Sequence, residues 1–329
     1  MKILHKIGWL AVLLVLFACG GNETINGNEE PKVEPQLKEY TVSLKMGGEV
    51  TTSESPLART ETESDDLYGV QVYKKINGNG SYDYFAYGLF DNVGDININL
   101  LEGSTYKFEV VLVKKGKDLI HEPENGFRYP FYRVSGSSVV VNNFYYSSSS
   151  YYKDNALHYG MISVSKYSSE DVKYPEADWY YGELENYTPT VNGTVEIDLK
   201  HTVFGLQYEV TGITDGTVSV FIRNNERSFF SNSSITEDYT SEEKIIAFYD
   251  TYSAWQYADN YTENLTVKVV WTRGVGVVED KGSKTIQVKR NVMNVVRIKM
   301  SADDGSATFG ITTEDDSSMM GETVDVPLG

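Results

Sequence analysis

The stretch Tyr40-Thr-Val-Ser-Leu-Lys-Met46 is followed at once by Gly47-Gly48. Its apolar side chains occur at every second position, so Tyr40, Val42, Leu44 and Met46 share one face of an extended strand. The two glycines end the pattern. The stretch therefore predicts a β-strand with one face in a core and the other in water.

The same period of two recurs along most of the sequence, and turn residues such as Asn77-Gly78-Asn79-Gly80 and Asp215-Gly216 separate the runs. Only the stretch 241–249 suggests a short helix. The pattern predicts a mostly β fold built from antiparallel sandwiches. The further predicted strands are 68–73, 82–90, 106–113, 195–199, 204–210, 217–222, 265–271, 285–288 and 292–300.

A proline among turn residues at 186–193 marks the predicted boundary between two domains. This places an N-terminal β-sandwich domain at 40–190 and a C-terminal one at 191–300, each of a size typical of such domains. The ends are predicted to be a signal peptide at 1–18, a flexible acidic tether at 19–39 and an acidic tail at 301–329.

The composition excludes several classes of protein. The chain of 329 residues has 47 acidic and 29 basic side chains and a net charge of −18, which argues against binding to nucleic acid. One Cys cannot form an intramolecular disulfide, and four His leave few ligands for a soft metal. We therefore predict no cofactor and no metal.

The first residues predict secretion. Lys2 and Lys6 precede the apolar run Ile7 to Phe17, which is too short to span a bilayer as a helix and is typical of a signal peptide. Leu16-Phe17-Ala18-Cys19 resembles the bacterial lipobox, which implies lipidation of Cys19. A lipobox cysteine carries more than one acyl chain, and stable membrane anchoring requires more than one. We expect an outer-membrane lipoprotein that faces the cell exterior.

Motifs of common enzymes are absent from the sequence. It contains no Gly-x-Ser-x-Gly, P-loop, His-Glu-x-x-His or EF-hand pattern. His121, His158 and His201 are far apart, and none is next to a recognisable nucleophile. The sequence therefore predicts a protein that is not an enzyme, with a Ser-His-Asp triad or calcium bound by the acidic pairs as open alternatives.

Two strand motifs carry a family resemblance. The stretch Asp198 to Val210 resembles the strand that opens the second domain of fimbrillin-like surface lipoproteins of Bacteroidetes, and Val288 to Ile298, with Arg290-Asn291, is similar to a strand near that domain's end. The resemblance implies two transthyretin-like β-sandwich domains after a lipidated tether. It also implies that subunits join when a protease removes an N-terminal strand and a neighbour's strand replaces it. The implied partners are other fimbrial subunits or the chain itself.

The residues fit this mechanism in two places. Tyr40, Val42, Leu44 and Met46 give a donor or displaced strand the alternation that strand addition requires, and we expect this strand at a sheet edge. Arg59, in the acidic stretch that follows, is the candidate site of protease processing. The alternative is an ordinary linker arginine, in which case the protein would be a monomer, an anchor or a tip component.

A different class of function is a surface glycan-binding lipoprotein of a polysaccharide-uptake system. Sugar rings stack on aromatic side chains, and Trp179, Tyr180 and Trp255 are the candidate platform. The partner would then be a host or bacterial surface glycan. Packing in a β core is the competing interpretation of these rings.

Overall fold

The computed structural model describes residues 37–50, 65–76, 80–119, 140, 142–148, 177–224, 227–274, 276–300 and 310–318. Strands dominate these residues, and α1 (Thr251–Tyr257) is the one α-helix among them. The prediction of a mostly β fold is confirmed. The strands of the N-terminal part are β1 (Glu39–Gly48), β2 (Leu67–Ile76), β3 (Asp83–Phe90), β4 (Asn97–Leu101), β5 (Ser104–Val113), β6 (Phe144–Tyr146), β7 (Trp179–Tyr187) and β8 (Gly193–His201).

The remaining strands follow in chain order. They are β9 (Val203–Thr211), β10 (Thr217–Arg223), β11 (Ser228–Ile235), β12 (Tyr239–Thr240), β13 (Lys244–Ala247), β14 (Thr262–Thr272), β15 (Val278–Lys289), β16 (Val292–Lys299) and β17 (Gly310–Ser318).

The first eight strands form one sheet in the order β4-β1-β8-β7-β5-β2-β3-β6. All neighbours are antiparallel except β1 and β8, which run parallel. The sheet folds over so that apolar residues from both of its halves share one core, among them Val42, Ile98, Val70 and Phe108. Its end strands come close, since the amide of Asn99 in β4 donates to the hydroxyl of Tyr146 in β6 at 3.1 Å.

The later strands form two further sheets. One has the order β11-β10-β14-β15, and the other has the order β12-β9-β16-β17 with β13 also paired to β9. Here β9 and β16 are a second parallel pair. Residues from both sheets, such as Tyr208, Val220, Trp271 and Val296, bury one another in a second core. Alternation with one buried face is what a pair of packed sheets requires.

A third apolar cluster lies between the two sets of strands. Trp179 and Tyr181 of β7 pack with Val203 of β9 and Ala247 of β13. The backbone continues the contact, since the amide of Thr202 donates to the carbonyl of Trp179 at 2.8 Å. One end of the outer face of the first sheet is thus covered by the second set of strands.

Sheet membership changes at Thr202, between β8 and β9. The turn at 186–193, which the sequence marks as a domain boundary, instead joins β7 to β8 within one sheet. A proline and turn residues mark any chain reversal, and they do not distinguish a hairpin from a domain boundary. The division into two domains stays a prediction.

Two further elements differ from expectation. The stretch 241–249 contains β13 rather than a helix, and α1 begins just after it, with Asp250 capping the amide of Ser253 at 2.8 Å. The predicted acidic tail contains β17, which pairs antiparallel with β16. Backbone pairing at an open sheet edge gives even a polar segment a place in the fold.

Candidate functional site: the slot of strand β1

Strand β1 lies inside the first sheet, between β4 and β8. It runs antiparallel to β4, with Val42 opposite Ile98, and parallel to β8, with Val42 opposite Gly193. The expectation that this strand occupies a sheet edge is therefore wrong. Its place depends on which strands pair with it, and its own alternation carries no information on that point. We call the space that it fills between β4 and β8 the β1 slot.

The apolar face of β1 fills part of the first core, as its alternation predicts. Val42 is fully buried, Leu44 and Tyr40 are almost so, and Met46 packs at the margin of the core. The Tyr40 hydroxyl donates to Glu102 at 3.3 Å. Complete burial of side chains of this size stabilises a fold by roughly 1.5–3 kcal/mol each. The β1 slot therefore offers backbone hydrogen bonds together with apolar pockets.

Backbone contacts continue beyond the paired residues. The amide of Leu44 donates to the carbonyl of Ile96 at 2.9 Å, just before β4. At the other end, the amide of Glu49 donates to the carbonyl of Leu199 in β8 at 2.8 Å. Strand β1 is held along its whole length.

The carboxylate of Glu49 lies in a charged cluster. It accepts hydrogen bonds from Nη1 of Arg290 at 2.6 Å and from the amide of His201 at 2.9 Å. Arg290, in the turn between β15 and β16, also donates to Asp259 at 2.6 Å and to the carbonyl of His201 at 3.2 Å. Burial alone would lower the pKa of Arg290, but Glu49 and Asp259 outweigh it and hold that pKa above its usual value.

Sequence patterns did not reveal this cluster. Arg290 belongs to the Arg-Asn motif, but no role followed from the motif for its side chain. For Glu49, the sequence offered one indication. This residue follows directly on Gly47-Gly48, where the strand ends and the chain can change direction. The pairing joins residues that are 241 positions apart, a distance at which local periodicity carries no information.

The candidate glycan platform is mostly inside the protein. Trp179 is fully buried, and Tyr180 is buried with its ring stacked on His201 at 4.4 Å between centroids. Trp255 of α1 is half-buried and meets Tyr181 edge-on at 5.7 Å. A buried ring cannot stack on a sugar, so the prediction of a platform is wrong for Trp179 and Tyr180. Alternation alone does not say that both faces of β7 are covered.

Two predicted sites, Cys19 and Arg59, lie outside the described residues. Among the residues that the structure covers, no three His, Cys, Asp or Glu side chains are grouped as a metal site requires. Within that same part of the chain, no helix is long and apolar enough to cross a membrane.

Comparisons with known proteins give similarity at the level of structure. No family model matches the chain. No curated protein matches it either. Solved structures that resemble it include the fimbrial anchor protein Mfa2 from Porphyromonas gingivalis, at 7% identity and a TM-score of 0.38, with 85% of this chain and 98% of that one covered.

A second similar structure is the tip fimbrial protein Mfa3 from Porphyromonas gingivalis, at 12% identity and a TM-score of 0.32, with 84% of this chain and all of that one covered. A third is a proposed adhesin from Bacteroides thetaiotaomicron, at 10% identity and a TM-score of 0.38, with 86% and 98% covered.

Proposed function

We propose that the chain is a non-enzymatic cell-surface lipoprotein that assembles by β-strand addition, as a fimbrial subunit, an anchor or a tip adhesin. The observation that carries this proposal is the position of β1. It is the first described strand of the chain, yet it is an inner strand of its sheet, between β4 and β8. Its link to β2 runs through 51–64, which includes Arg59.

Loss of β1 would open a slot with two unsatisfied sides. The backbone groups of β4 and β8 that now pair with β1 would need a new partner. The core pockets that Tyr40, Val42 and Leu44 fill would be empty. Open edges of this kind bind extended segments, because main-chain hydrogen bonds give affinity and alternate side chains fill pockets. A strand from a second copy or from another fimbrial subunit would meet both needs.

Chain connectivity links this slot to anchoring. If Cys19 is lipidated, cleavage at Arg59 separates the acylated segment together with β1 from the rest of the chain. A cut molecule would thus lose its membrane anchor and gain an open slot at the same time. An uncut molecule would keep its membrane anchor and keep β1 in the slot, and it would serve as an anchor or tip, displayed on the outer face of the outer membrane.

The experiment compares the mature wild-type chain with Arg59→Ala after treatment with an arginine-specific protease. The wild type should lose β1 and form oligomers whose size grows with protein concentration, whereas Arg59→Ala should keep β1 and stay monomeric. Sizing by light scattering with mass spectrometry of the products measures both. A wild-type chain that is cut at Arg59 and stays a stable monomer, with no partner strand able to enter, contradicts the proposal.

The alternative is a glycan-binding lipoprotein, and it keeps one part of its predicted platform. Trp255 and Tyr257 lie on α1, and Tyr257 is 57% exposed. Because residues i and i+2 do not share a face of a helix, the exposed part of the Trp255 ring would contact a sugar without Tyr257. Binding to a polysaccharide array that Trp255→Ala abolishes would favour this function over strand addition.

A further inference from the structure

We propose that Arg290 makes the β1 slot selective for strands with an acidic side chain just after their last paired residue. Any strand that replaces β1 must then place an Asp or Glu at the position of Glu49. The inference rests on the proposed function and names the chemistry of the partner strand. That strand has apolar residues at the positions of Tyr40, Val42 and Leu44, a glycine at that of Gly48 and an acid directly after it.

The first step is the burial of the Arg290 charge. Its side chain is 5% exposed, whereas its two carboxylate partners differ: Glu49 is 22% exposed and Asp259 is 88% exposed. An ion pair with a carboxylate in water is weak because water screens it. Glu49 is therefore the partner that offsets the cost of burying the guanidinium.

The second step is that Arg290 and Glu49 belong to different parts of the slot. Arg290 lies in the turn between β15 and β16 and stays when β1 leaves, while Glu49 follows directly on β1. Removal of β1 would take the carboxylate away from Arg290 and from the amide of His201 together. Of its two carboxylate partners, Arg290 would then keep only Asp259, whose carboxylate is 88% exposed and screened by water, so the emptied slot favours a strand that restores the more buried counter-ion.

The third step concerns how the carboxylate reaches Arg290. Gly48 has φ of +77°, a left-handed conformation that favours glycine, and a Cβ there would lie 2.5 Å from the carbonyl oxygen of Leu199. This turn brings the amide of Glu49 to that same carbonyl at 2.8 Å. A glycine followed by an acid is thus the feature that the slot selects, and a synthetic peptide of residues 37–50 reproduces it.

The test uses the full mature chain with the cleavage site of a sequence-specific protease in place of residues 57–60, and it measures entry of synthetic peptides into the slot after the cut. The probes are the fluorescent 37–50 peptide and its variants Glu49→Gln, Gly48→Ala and Lys45→Gln. Lys45 pairs with Glu196 at 3.0 Å on the exposed side of the same strand, so Lys45→Gln is the matched control for loss of a charge pair.

We expect the Glu49→Gln and Gly48→Ala peptides to bind at least about tenfold more weakly than the wild-type peptide, and Lys45→Gln to stay within about twofold. Against an Arg290→Gln chain, the wild-type and Glu49→Gln peptides should bind alike. Equal binding of these two peptides to the wild-type chain would overturn the selectivity and leave strand addition standing. Failure of every peptide to enter the slot would overturn both proposals.

The uncut chain gives a second measurement that does not depend on strand exchange. A double-mutant cycle of Glu49→Gln and Arg290→Gln, followed by urea unfolding, reports the coupling between the two side chains. We expect the double variant to be more stable than the sum of the two single effects predicts. Additive effects would show that Arg290 does not depend on Glu49 and would overturn the inference.

Discussion

Arg290 donates a hydrogen bond of 2.6 Å to Glu49, and this contact fixes the end of the first described strand to the turn between β15 and β16. The two residues belong to different sets of strands, so β1 is held by its own sheet and also by the neighbouring one. Release of β1 would cost a buried ion pair in addition to backbone and apolar contacts. The same features that keep β1 in place specify what can replace it.

The first prediction concerns the packing of β1. Leu44→Ala should lower the free energy of unfolding by about 2–5 kcal/mol, because the leucine is 3% exposed in the first core. Lys45→Ala, on the exposed face of the same strand, should change it by less than about 0.5 kcal/mol. Urea unfolding measures both. A Leu44→Ala chain as stable as the wild type would show that β1 does not pack in the core.

The sequence predicted the face of β1 and little of its surroundings. Period-two alternation depends on each strand's own residues, so the burial of Val42 and Leu44 followed from it directly. The parallel neighbour β8 and the contact with Arg290 depend on distant segments meeting in space. Local pattern does not encode which strands pair, and for that reason both were missed.

The aromatic residues give the second prediction. Trp179→Ala should cost about 3–5 kcal/mol of stability, because the ring is fully buried between the two sets of strands. Trp255→Ala should cost less, since that ring is half-buried. Thermal unfolding compares the two variants. Equal and negligible losses would contradict the assignment of Trp179 to the core.

The third prediction concerns alkaline pH. Burial, with a contribution from Glu263 and Asp250, raises the pKa of Tyr261 to about 12. In the unfolded chain the phenol ionises near pH 10, so between about pH 10 and 12 the unfolded state binds fewer protons than the folded one. The stability that Tyr261 contributes is complete below about pH 10 and is lost as the pH rises through its folded pKa.

The variant that checks this is Tyr261→Phe, which keeps the ring and removes the ionisable group. Its urea midpoint should fall less steeply between about pH 10 and 12 than that of the wild type. Identical slopes for the wild type and Tyr261→Phe would contradict the expected role of this phenol.

The fourth prediction concerns anchoring. Cys19→Ala should give an unprocessed or soluble product, because the proposed membrane affinity comes from the acyl chains on this residue. Fractionation of cells into membrane and soluble material measures the change. A Cys19→Ala protein that stays with the membrane as firmly as the wild type would show that another feature anchors it. Protease shaving of intact cells then reports whether the wild type faces outward.

Hydrogen exchange in β4 and β8, measured before and after cleavage at Arg59, shows directly whether β1 can leave its slot. If β1 leaves the slot, amides in 97–101 and 193–199 should lose protection, and those of β14 in the second core should keep theirs. Added 37–50 peptide should restore the lost protection. Unchanged protection in β4 and β8 after a complete cut would contradict strand replacement, because β1 would then be a permanent strand of the fold.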